Sequence, residues 1–276
     1  MITDEQRESN ALMFRELGRD TYQLHRHLVE AMGENAKAFR SKKGIILFIL
    51  LVRVCGNLMG AIAILLQAMR TKGNLIFKLP LGLCLRGAMI DALTTLYFDA
   101  QSEESAVSHL EVTNLQYAKS LLERLEVYKD KVHSVSPDFD DDLVEHFYEL
   151  GLEDNFLQYF DVEVKDQDFR VKPMKESEFR REGALLEGSY PNLKQMHDHL
   201  ITIPEYSEKA KRLYHYYKYF SQYEHSSELG FGDVKASFGE DNIHMPSAIK
   251  TLKDAVDLIF EHLRKENQAK PNICNP

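Results

Sequence analysis

The sequence predicts an all-α protein, a multi-helix bundle built around a long antiparallel helix hairpin. Apolar residues recur at three- and four-residue steps along most of the chain, as they do in helices that bury one face. Glycine and proline number only 14 and 8 in 276 residues, so few positions interrupt the pattern. No sustained alternation of apolar and polar residues competes with it.

The first helix is expected from about Asp4 to Phe39. Thr3-Asp4-Glu5-Gln6 has the spacing of a capping box, Leu17, Leu24, Leu28 and Met32 lie on or near one face, and Gly33 offers a breaking point. Lys43 to Met69 forms the second helix and Phe77 to Asp99 the third, with Thr71-Lys72-Gly73-Asn74 as the turn that folds them into the hairpin. A fourth, from about Ser105 to His133, carries Leu110, Leu115, Ala118, Leu122, Leu125, Tyr128 and Val132 at mixed steps of three and four. Shorter helices are expected over Asp141 to Leu150 and Asp154 to Phe160. From about 161 to 190 the chain is charged and without apolar periodicity, and a long loop or mobile insertion is expected there within a single helical domain, 1–276. Helical pattern resumes at Asn192, runs from about Glu205 to Leu229, and returns from Pro246 to Lys265 with Ile249, Leu252, Val256, Ile259, Phe260 and Leu263 as its stripe.

Composition bounds the function. Asp and Glu total 43 against 34 Lys and Arg, a net charge of -9, so no global positive field exists to hold a phosphate backbone, and DNA is not an expected partner. A local basic pocket for RNA stays open. Cys55, Cys84 and Cys274 are odd in number and without CxxC spacing, and the opening MITDEQRESNALMF is acidic where a signal peptide would be basic and then apolar. Both features point to reducing cytoplasm. The segment Gly44 to Leu66 is long enough to span a membrane, but its strong hydrophobes, worth about -0.3 to -0.6 kcal/mol each on insertion, are nearly offset by Arg53 at about +3, by Asn57 and by glycines. A buried core helix is expected in place of a membrane span.

Two segments carry candidate chemistry. Folding the hairpin about Gly73 sets Gly60 roughly across from Arg86, and Asn57 roughly across from Ile90 and Asp91, which makes a polar seam of Arg53, Asn57, Arg86 and Asp91. Gly56 and Gly60 would let the facing helix approach, and Asp91 is the nearest partner for an enclosed Arg86. The seam reads either as a network that fixes helix register or as an anion-binding arginine in a pocket. The second segment is Tyr214 to Ser227, where Ser221 and His225 stand one helical turn apart and Tyr217, Phe220 and Glu224 lie on an adjacent face. Its aromatic density could stack bases, although such spacing is commonly that of a core.

Other signatures fail. There is no GxSxG elbow, HExxH pair, Walker A loop or GxGxxG turn, and His25/His27 and His197/His199 are isolated short pairs. Asp138, Asp140, Asp141 and Asp142 suit a solvated helix N-terminus. No metal or cofactor is expected.

Residues 49–98 and 190–227 resemble a bacterial all-helical family of unknown function. In that family an arginine after an apolar run precedes an acidic residue, here Leu85-Arg86 and then Asp91, one position later than the family's usual spacing. A later segment reads Tyr-x-x-Leu/Phe-Ser-x-x-x-His-x-Ser, matched by Tyr217, Phe220, Ser221, His225 and Ser227. The family is distantly similar to the HEPN superfamily, many of whose members are dimeric RNA-cleaving toxins or defence effectors with an Arg-x4-6-His motif. The one such spacing in this chain, Arg19 to His25, is no more than chance supplies.

The sequence therefore gives two functional expectations. One is a helical-bundle binding or regulatory protein with a polar pocket around Arg86 and His225, covered by the charged segment near 161–190, and taking an unidentified ligand or protein partner. The alternative implied by the resemblance is a metal-independent ribonuclease, a homodimer with Arg86 and His225 as its catalytic pair.

Overall fold

A computed structural model describes residues 4–71, 77–109, 160–165, 168–173, 191–221 and 238–269. The chain divides into two compact units, Met1–Ala106 with Pro191–Pro276, and Val107–Tyr190, where the sequence suggested one domain with a shorter insertion. In chain order the helices are α1 (Asp4–Glu34), α2 (Lys42–Arg70), α3 (Lys78–Asp99), α4 (described over 103–109), α5 (Leu193–Leu200), α6 (Pro204–Ser221) and α7 (Phe238–Ala269). The first unit is an all-α multi-helix bundle.

Within the second unit, β1 (Phe160–Lys165) and β2 (Asp168–Pro173) form an antiparallel pair. The segment expected as a charged loop thus opens with a hairpin. Its register sets Val162 opposite Val171 and Val164 opposite Phe169, and at the alternate positions Glu163 opposite Arg170 and Asp161 opposite Lys172. That is a period of two confined to six residues per strand, which a search for longer periodicity passes over. Phe160, expected at the end of a helix from Asp154, instead opens β1; the rest of that helix, the one over 141–150, most of the expected fourth helix, the four-aspartate run and the remainder of the charged segment lie outside the described residues.

α1 stops at Glu34, close to the expected break, where the Asn35 side chain donates to the Ala31 carbonyl at 2.8 Å. A short 3-10 turn, Ala38–Arg40, leads to Ser41, whose hydroxyl caps α2 by accepting from the Gly44 amide at 3.0 Å. Gly44 is obligatory: a Cβ there would run into the carbonyl of Ala38. α5 opens with a full capping box between Asn192 and Gln195.

α3 packs against α2, α5, α6 and α7, and every residue from Asp91 to Asp99 is buried. A helix apolar on all sides belongs at the centre. α2 lies beside it with Leu47, Leu51, Val54, Leu58, Ala61 and Leu65 turned inward and fully buried or nearly so. Both helices are long and apolar enough to cross a membrane by length and composition, with mean hydropathies of 2.3 and 1.3, and 44% and 61% of those stretches are buried within the chain. α7 supplies Leu252, Val256, Ile259, Phe260 and Leu263 to the same core. It begins at Phe238, eight residues ahead of the expected start at Pro246, which sits inside the helix. An interior proline forfeits a backbone hydrogen bond. The fully buried Met245 and Ala248 on either side of it supply packing that offsets that loss.

A polar clasp closes the end of the bundle. Asp99, at the last turn of α3, accepts from the Tyr206 hydroxyl of α6 at 3.0 Å and meets His262 Nδ1 of α7 at 2.6 Å, while His262 Nε2 meets Glu205 at 2.8 Å. Lys43 reaches from α2 to donate to the carbonyls of Asp99 and Gln101 at 2.7 and 2.9 Å, satisfying orphan acceptors at the helix end. The hydrogen bond to Asp99, helped by Glu205, holds His262 at about 9 against the opposing effect of burial, and burial beside Asp99 pushes the Tyr206 phenol up. Because the folded value for His262 lies above its ordinary 6.5, the stabilisation is complete below that pH and disappears as pH climbs through 9. We expect thermal unfolding midpoints to fall across that window by the equivalent of about 3 kcal/mol, with a flatter profile in His262→Gln. Equal slopes in the two proteins would show that the clasp does not carry a protonated histidine.

Candidate functional site

Asp91 and Arg86 share α3 but not a face. Five residues rotate a helix by roughly 500°, leaving the two side chains about 140° apart. Asp91 turns toward α2, where Arg53 Nη2 lies 2.8 Å from one carboxylate oxygen and Asn57 Nδ2 donates to the other at 2.9 Å. The partner of Asp91 is therefore Arg53, and not Arg86 as the hairpin suggested. Burial raises Asp91 to about 6 despite Arg53 and Asn57, because its side chain is only 5% exposed while the guanidinium facing it is largely in water.

The glycines also sort differently. Gly60 does face α3, with a Cβ there 3.1 Å from Cys84 Sγ, but Gly56 faces outward with nothing within 4 Å. The residue that admits the seam is Gly87, where a Cβ would fall 2.5 Å from Asn57 Oδ1.

Arg86 turns toward α6. Its Nε donates to Ser221 Oγ at 3.2 Å, the Ser221 hydroxyl donates back to the Tyr217 carbonyl at 2.7 Å, and the guanidinium carbon stands 5.1 Å from the centre of the Tyr217 ring. From there a row of rings continues: Tyr217 to Tyr214 at 5.6 Å, then His197 of α5 stacked on Tyr214 at 4.3 Å. Lys218 spans both tyrosines at 5.5 and 5.6 Å. Tyr214, Tyr217 and Arg86 are half-buried and Lys218 is exposed, so the row forms part of the surface. Phe220 is fully buried and belongs to the core.

Of the residues singled out in sequence, the fold brings Arg53, Asn57 and Asp91 together on one side of α3, and Arg86, Tyr217 and Ser221 on the other. His225 and Ser227 lie outside the described residues. Arg19 pairs at the surface with its neighbour Asp20. His197 was passed over as half of an isolated pair, and only the packing of α5 on α6 reveals it beside Tyr214. No signal marked the Asp99–Tyr206–His262 clasp, whose members are far apart in the chain.

Burial pushes the Cys55 thiol up to about 11 and raises that of Cys84, so neither is an activated nucleophile. Among the described residues no group of three or more His, Cys, Asp or Glu is arranged to hold a metal. No protein-family model, curated protein or solved structure matches the chain.

Two outcomes follow for the seam. Gly87→Ala should lose about 1–3 kcal/mol in urea unfolding, because Asn57 must give way. The Asp91 carboxyl, followed by carbon NMR, should titrate near 6 and move up by about half a pH unit in Arg53→Met, the scale of a largely exposed ion pair. A midpoint near 4 in the wild type would show that the carboxylate is hydrated.

Proposed function

We propose that this chain is a helical binding module that takes an anionic ligand at the Arg86 edge of α3 and α6, the ligand carrying a phosphate or carboxylate close to a flat ring. One observation carries the reading: the Arg86 guanidinium lies over the Tyr217 ring and on Ser221, in line with Tyr214, His197 and Lys218. A guanidinium held in plane by an aromatic face and a hydroxyl is preorganised for a planar anion, and adjoining tyrosines offer stacking surface. A nucleotide or a short single-stranded RNA has both parts. The seam on the opposite side of α3 serves to hold that helix in register.

The ribonuclease reading is kept as the second because Ser221, which receives Arg86, stands four residues before His225 in the chain. In that reading Arg86 stabilises charge developing on a phosphate and His225 transfers the proton.

A fluorescein-labelled oligoribonucleotide in EDTA separates the two. Wild type should bind it without cleavage, and Arg86→Ala and Tyr217→Leu, both folded by circular dichroism, should bind about tenfold and severalfold more weakly. Cleavage lost in Arg86→Ala and His225→Ala would favour the enzyme, and affinity indifferent to Arg86 and Tyr217 would remove both readings.

A further inference from the structure

We propose that the outward face of α2 is the surface through which two copies of this chain pair. It is independent of the ligand reading, since it lies on a different helix from Arg86 and Tyr217. Ile45, Ile49, Val52, Gly56, Met59, Ala63 and Leu66 follow one another at steps of four and three, the repeat of a helix–helix seam, over 22 residues. All of them are exposed. Ile45, Ile49, Val52, Met59 and Leu66 stand 47%, 51%, 45%, 51% and 49% in solvent. The opposite side of α2 already supplies its share of the core through Leu47, Leu51, Val54 and Leu58. Among the described residues, the fold of one copy therefore does not account for the apolar outer stripe.

Gly56 strengthens the case. Glycine weakens a helix interior, and here a Cβ would meet nothing within 4 Å, so no packing among the described residues requires its absence. With Ala63 one heptad along, Gly56 makes the middle of the stripe shallow and lets another backbone approach closely.

A second copy fits better than the other occupants. The exposed side chains amount to on the order of 500 Å² per copy, near 1,000 Å² for a pair, which reaches the lower edge of specific interfaces and matches a large patch for a monomer. The seam carries no ionisable group of its own, and the neighbouring Arg53 is already held by Asp91 at 2.8 Å, so identical stripes meet without unpaired charge. A lipid surface makes no use of a glycine or of a 3.5-residue repeat, and a net charge of -9 opposes approach to an anionic bilayer.

The test is sedimentation velocity on the full chain, wild type against Gly56→Glu and Met59→Glu, with helicity checked by circular dichroism. Wild type should approach twice 31.9 kDa as concentration rises, and both variants should remain near 31.9 kDa, with dissociation constants at least about tenfold weaker. Gly56→Glu enters open space in the single chain, so it stays folded and decides the matter even if Met59→Glu does not. The proposal is overturned if wild type stays monomeric up to about 1 mM, at the weak end of specific association. It is equally overturned if the variants dimerise as wild type does, or if a monomeric wild type floats with phosphatidylcholine vesicles.

Discussion

The bundle depends on pairing the two carboxylates that α3 carries into the core. Asp91 and Asp99 have side chains 5% and 2% exposed, and an unpaired charge at such positions would cost several kcal/mol, a large fraction of a domain's stability. Each is answered by a different neighbour. Arg53 and Asn57 of α2 serve Asp91, and Tyr206 of α6 with His262 of α7 serve Asp99. The central helix is thereby tied to three others by directional contacts, where apolar packing alone would permit sliding or rotation. Lys43, on the carbonyls at the end of α3, fixes the axial position as well.

That arrangement turns Arg86 away from Asp91 and toward α6. A charge on the same helix as Asp91 would ordinarily be read as its partner, yet the helical repeat turns the two apart and Arg53 takes the position. Arg86 instead meets a hydroxyl and a ring, contacts that orient its guanidinium against α6. The register fixed by the seam sets where Arg86 emerges against α6, so the structural side of α3 positions the chemical one.

Legibility in the sequence followed the range of the interactions. Helix boundaries within α2 and α3, the break after Gly33 and the helix start at Asn192 are local, and residues two to four apart declare them. Asn57 opposite Asp91 was legible too, because a hairpin turn converts sequence distance into position. The clasp was not, since Asp99, Tyr206 and His262 meet only after three helices pack. Pro246 misled because a proline normally marks a helix start, and tertiary burial of Met245 outweighs that preference. The β1–β2 hairpin was hidden by charges at alternate positions, which read as disorder until the register pairs them.

Glycine provides the sharpest contrast between what the single chain requires and what it does not. Gly44 and Gly87 each sit where a Cβ would strike a named neighbour, Ala38 and Asn57, and both are explained entirely from within. Gly56 has the same helical setting, yet a Cβ there would meet nothing within 4 Å among the described residues. A residue that weakens its own helix without relieving a clash finds its rationale in something that approaches from outside, and the apolar positions on either side of it define how long that partner must be. The three faces thus divide by what they answer to: the inner face of α3 to buried charge, the α6 row, in the reading proposed for it, to an anion, and the outer face of α2, in the pairing proposed for it, to another helix.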